Sequence, residues 1–143
     1  MRVHDIATRE DLESLLRAFY GRALVDPLLR HVFVDVVHMD LEAHLPVIAD
    51  FWQKVLFDTG TYSGRTMEVH RRIHRRVPLT EGHFDRWLEL WGETVRDGFR
   101  GPVADQAVVH ATRIAAVFQR QLAEQRPGLR TLPVVAVGDA SSG

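Results

Sequence analysis

The chain has 143 residues, 45% of them hydrophobic, and its 18 Lys+Arg against 19 Asp+Glu give a formal net charge of -1. That length suits one compact core, and the even balance supplies no global field toward nucleic acid or an anionic membrane, so any affinity for anions has to be local. Cysteine is absent, which excludes disulfides, thiolate zinc sites, iron–sulfur clusters and cysteine nucleophiles.

The opening MRVHDIATREDLESLL is too charged for a signal peptide, and no later apolar run approaches the length of a bilayer span, so a cytoplasmic protein is expected. Thr8 followed by Asp11 has the spacing of a capping box. Leu12, Leu15, Leu16, Phe19 and Ala23 then recur at helical period, which predicts a helix to about Leu24. Asp26-Pro27 breaks it, and LLRHVF reads as one or two tight turns ending in Phe33. Asp40 can cap the next helix, whose stripe is Leu41, His44, Ile48, Phe51, Trp52 and Val55.

Gly60 and Gly64 bracket a loop, and helix resumes near Thr66 to stop by Val77, ahead of Pro78. Thr80 opens an amphipathic helix with Phe84, Trp87, Leu88, Trp91 and Val95 on one face, ending around Gly98 to Gly101. The last helix begins at Pro102 and carries Val108, Ala111, Ile114, Ala115, Phe118 and Leu122. Past Pro127 the breakers and small residues predict a loose tail, with VVAV the one weak strand candidate. The expectation is an all-α fold of five helices, one domain over 1–126 and a tail over 127–143.

The segment YSGRTMEVHRRIHRRVPLT, Tyr62 to Thr80, concentrates two histidines and four arginines. His70 and His74 stand four apart, so their side chains leave one helix face as neighbours and could grip one ion. Yet HRRIH lacks the glutamate of the zinc-protease pattern, and spacing offers no third ligand. Arg71, Arg72, Arg75 and Arg76 form either a solvated face or a partner for carboxylates beside a metal-binding imidazole, the layout that a haem with its propionates presents. His44 sits on the apolar stripe of its helix and, once buried, needs a partner. Tyr20 raises the same question, whereas Trp87 and Trp91, one turn apart, read as core packing. His4, His31, His38, His83 and His110 suggest no role.

Taken together, Phe19-Tyr20, Phe33, HLPVIADFW (His44 to Trp52), Tyr62-x-Gly64-x-x-Met67-x-x-His70 and PLTEGHFDRWLELW resemble, in order and spacing, the truncated haemoglobins, short globins with a two-over-two helical sandwich. The third group is the most similar, and the resemblance covers roughly Leu12 to Leu122. It implies haem b as cofactor and His70 as the iron ligand. It implies Tyr20, His44 and Trp87 as distal donors to the bound ligand, and Phe19, Phe33, Ile48, Phe51, Trp52 and Met67 as pocket wall.

Arg71 and Arg75 are expected at the propionates from their position beside His70, since the family pattern does not fix them. The ligands implied are O2, CO and NO at a penta-coordinate iron, with peroxide a further reactant. Several donors on O2 favour redox chemistry or sensing over bulk transport, with an unidentified reductase as partner and neither nucleic acid nor membrane. Two alternatives stay open: a cofactor-free helical interaction module with HRRIHRR as its docking surface, and a zinc enzyme using His70 and His74.

Overall fold

The computed structural model describes residues 3–36, 40–58, 70–74 and 79–125. The capping box forms as expected: Thr8 Oγ1 accepts from Asp11 N at 3.0 Å, and the Asp11 carboxylate accepts from Thr8 N at 3.0 Å. Helix α1 then runs Arg9–Ala23 and buries Leu12, Leu15, Leu16, Phe19, Tyr20 and Ala23. Asp26, only 6% exposed, opens the four-residue helix α2, Pro27–Arg30, by accepting from Leu28 N and Leu29 N, both at 3.1 Å. The chain next widens into a π-helical turn over His31–Val36, which carries Phe33. Such wide turns are uncommon and concentrate at functional sites.

Helix α3 spans Leu41–Phe57 behind the Asp40 cap and ends at Asp58, whose φ of 56° is left-handed. Its inward face corrects one expectation. Leu45, Ala49 and Trp52 are the buried positions, while His44 is exposed. The 3.6-residue period puts Leu45 on the same stripe as Ala49 and Trp52, so the histidine one residue earlier turns toward water.

Residues 70–74 are helical (α4), and the loop expected between Gly60 and Gly64 lies outside the described residues. Helix α5, Glu81–Gly98, starts at Thr80 in a second capping box, with His83 as the reciprocal partner. Helix α6 runs Pro102–Gln125. The weak strand candidate VVAV and the tail also fall outside the described residues.

Helix α1 packs on α3 and α5 on α6, and the two pairs meet through α1 with α5 and α3 with α6. That is the expected two-over-two sandwich. Charged pairs tie its outer faces: Arg9 reaches Asp50 at 2.6 Å, Arg22 reaches Asp97 at 2.7 Å, and Arg86 on α5 reaches Asp26 at 2.7 Å. The N-terminal segment fastens the far end. Asp5 accepts from Val103 N at 3.0 Å and Ala104 N at 2.8 Å, capping α6, and Arg100 N donates to His4 O at 3.0 Å. Gly101 permits this close approach, because its φ is +147° and a Cβ would collide with the Asp5 carboxylate.

Candidate functional site

The aromatic residues singled out in the sequence converge between α1, the π turn, α3 and α5. Phe19 is 1% exposed and meets the rings of Tyr20, Trp87 and Trp91 edge-on at 4.9, 6.2 and 5.3 Å. Tyr20 lies edge-on to Phe33 at 5.7 Å, so the π turn delivers Phe33 to the face of the tyrosine. Trp91 stacks on both other tryptophans, at 4.8 Å from Trp52 and 6.0 Å from Trp87, and its own N–H donates to Ala107 O at 3.1 Å. Ile48 and Phe51 are half-buried and pack against the same core.

Tyr20 is the anomaly of this core. Its side chain is 8% exposed, yet no described residue bonds its hydroxyl, and burial alone pushes the phenol well above its ordinary range. An unsatisfied buried hydroxyl costs about 1–3 kcal/mol, which phenylalanine at the same place would not incur. Among the described residues the Trp87 N–H, on a half-buried ring, also lacks an acceptor. Two donors are therefore held ready on neighbouring elements.

A second cluster of Phe84, Ala115 and Leu122, with Leu79 and Phe118 against it, lies between α5 and α6. Trp87 and Leu88 pack against both clusters and so mark the junction. His70 is half-buried, with its ring 4.7 Å from Phe118. Tyr20 thus belongs to the first cluster, Trp87 stands at the junction, and His70 lies beside Phe118 of the second.

His74 behaves quite differently from His70. It is 6% exposed, and its Nδ1 accepts from Leu79 N at 2.9 Å. An imidazole accepting at Nδ1 carries its proton on Nε2, so neither nitrogen has a lone pair free for a metal while that bond stands. The sequence does not show this structural role; there His74 stands only as a possible partner of His70 on one ion. The signal available was its place one turn before the Pro78 break, where the backbone needs a local acceptor. The zinc alternative loses its second ligand here, and no group of three potential metal ligands occurs among the described residues.

Arg71 is half-buried and donates to Gln121 Oε1 at 2.9 Å, which joins α4 to α6. Met67, Arg75 and Arg76 lie outside the described residues, and Arg72 is exposed. His83, which suggested no role, serves as a structural acceptor: its Nδ1 receives Thr80 N at 3.0 Å. Burial first, and the neighbouring His31 second, hold its imidazole below the ordinary histidine range.

The all-α two-over-two sandwich is the fold of the truncated globins. The chain is 25% identical over 117 residues to the group 3 truncated haemoglobin ctb of Campylobacter jejuni, which spans 80% of this chain and 90% of that protein. The crystal structure of the group III truncated haemoglobin from Campylobacter jejuni superposes with a TM-score of 0.76 at 22% identity, over 85% of this chain and 95% of that one. No protein-family model matches the chain. The all-α globin fold and the similarity to the third group of truncated haemoglobins, both read from the sequence, are borne out. No helix among the described residues is long and apolar enough to cross a membrane.

Proposed function

We propose that the protein binds haem b at the junction of its two clusters and uses it to hold diatomic ligands. The observation that carries this reading is the buried Tyr20 hydroxyl, which no described residue satisfies, on a fold similar to truncated haemoglobins. A buried polar group without a partner is retained where a ligand supplies the partner. The remaining residues fit the group: apolar and aromatic walls from Phe19, Phe33, Ile48, Phe51, Trp52 and Leu88, and an imidazole beyond them at His70.

When bound, haem supplies an iron that takes one imidazole and leaves a position open for O2, CO or NO. His70 is the residue assigned to hold it. Its rival His74 would have to surrender the Leu79 N–H and change tautomer to do so. Arg71 would meet a propionate by exchanging or sharing its bond to Gln121, and Arg75, outside the described residues, is assigned the same role from the sequence. Tyr20 O–H and Trp87 N–H would donate to the ligand. His44, exposed on α3, guards the entrance and donates only when it turns inward.

Two donors favour O2, which is polarised on binding, over CO, which is not. Each such bond to a charged acceptor is worth about 1.5–3 kcal/mol, or roughly 10- to 150-fold in O2 residence. A protein that holds O2 that firmly suits redox chemistry with NO or peroxide, or sensing, better than transport. Turnover would draw electrons from a separate reductase, because the chain carries no flavin or nicotinamide motif.

The assignment is tested by titrating haemin into His70→Ala and His74→Ala. His70→Ala should lose the histidine-ligated spectrum and bind haemin weakly. His74→Ala should keep the spectrum and lose stability, since it strips the acceptor from Leu79 N. The reverse pattern would move the iron ligand to His74.

A further inference from the structure

The three tryptophans of the chain stack through the core of this small domain. Trp91 lies nearly parallel to both partners, 19° from Trp52 and 10° from Trp87, with ring separations of 4.8 and 6.0 Å. Trp52 and Trp91 are 3% and 1% exposed, whereas Trp87 is half-buried at the junction. We propose, resting on the haem reading above, that this indole stack is a one-electron reservoir which supplies electrons when a hydroperoxide is reduced at the site.

The balance is simple. Reducing a hydroperoxide, ROOH, breaks its O–O bond and consumes two electrons and two protons to give ROH and water. Two indoles meet that demand, Trp87 giving one electron and its N–H proton and buried Trp91 giving one electron only, with the second proton drawn from water: ROOH + 2 TrpH + H+ → ROH + H2O + Trp87 radical + Trp91 radical cation, the cofactor ending as it began. An external one-electron donor then returns one electron to each indole, and water returns the proton to Trp87, so that donor never has to enter the ligand pocket.

The stack suits a transient positive charge. The faces of Trp52 and Trp87 present negative quadrupole density to an oxidised Trp91, and the Ala107 carbonyl, accepting its N–H at 3.1 Å, directs the negative end of a dipole at it. Parallel rings in contact share the charge. Trp87, the half-buried member, has a route for its proton to water. Tyr20 is the competing donor and is poorly placed: phenol oxidation requires proton loss, and no described residue accepts from its hydroxyl.

The test mixes haem-loaded protein with one equivalent of hydrogen peroxide, freezes it within milliseconds and records its EPR spectrum. Protein grown on tryptophan deuterated in the indole ring should give a narrower radical signal than unlabelled protein. That comparison requires no substitution. Trp91→Phe, which removes the central ring, should lower the radical yield several-fold while its CO spectrum shows haem still in place.

A signal unchanged by indole deuteration, and abolished by Tyr20→Phe, would overturn the proposal and leave the haem reading standing. So would an absence of any protein radical. Failure of the wild-type protein to take up haem would overturn the haem reading and the reservoir with it.

Discussion

Tyr20 sets the terms at the scale of single residues, because its hydroxyl is buried and no described residue bonds it. Tyr20→Phe should speed O2 dissociation roughly 10- to 150-fold, with a much smaller effect on CO, and should leave the ligand-free protein as stable or up to about 1–3 kcal/mol more stable. Trp87→Phe should act on O2 in the same direction. Stopped-flow dissociation of both ligands decides this, and equal acceleration of O2 and CO would indicate a steric gate instead.

His83 gives a second residue-scale expectation, with a sign fixed by its shift. Its folded-state pKa lies below the ordinary value, because burial and His31 disfavour the charged ring. Its contribution is therefore whole above about pH 6.5, the unfolded value, and is lost as the pH falls through the folded one. His83→Gln keeps an acceptor at the third helical position without titrating. Urea midpoints at pH 7.5 and 5.5 should differ less in that variant than in the wild type.

The elements show how local chemistry places these residues. Asp26 ends one helix region, caps the next and holds Arg86 of α5 at 2.7 Å. Burial pushes its carboxyl up, but the Leu29 N–H, Arg86 and the Leu28 N–H together outweigh this and bring it below the ordinary range. Asp26→Ala should cost about 1–2 kcal/mol in urea unfolding, since a helix cap is lost, and Phe33 should lose its fixed place against Tyr20. An unchanged midpoint would mean that the π turn is held by its own packing.

Most element boundaries were legible because caps are local: Thr8, Asp40, Thr80 and Pro102 all mark starts found in the structure, and the Asp26-Pro27 break falls where α1 ends, although the sequence did not show that Asp26 caps a further helix. The apolar period likewise picked out Phe84, Trp91 and Val95. Three features were not legible. The exposure of His44 depends on which edge of a broad stripe faces α1, and periodicity resolves that to no better than one residue. The π turn has no sequence signature separate from an ordinary helical turn. The roles of His74 and His83 as acceptors depend on where backbone N–H groups end up after a break, which only the folded chain decides.

For the whole molecule, the Asp5 cap on α6 and the packing between the two helix pairs build the frame. A cofactor-free helical module is the alternative to haem binding, and the orphaned Tyr20 hydroxyl argues against it. The decisive measurement is the visible spectrum of the purified, haemin-supplemented protein in its ferric, dithionite-reduced and CO-bound forms. The account predicts a Soret band that shifts sharply when CO binds the reduced protein. A colourless protein that takes up no haemin would contradict it.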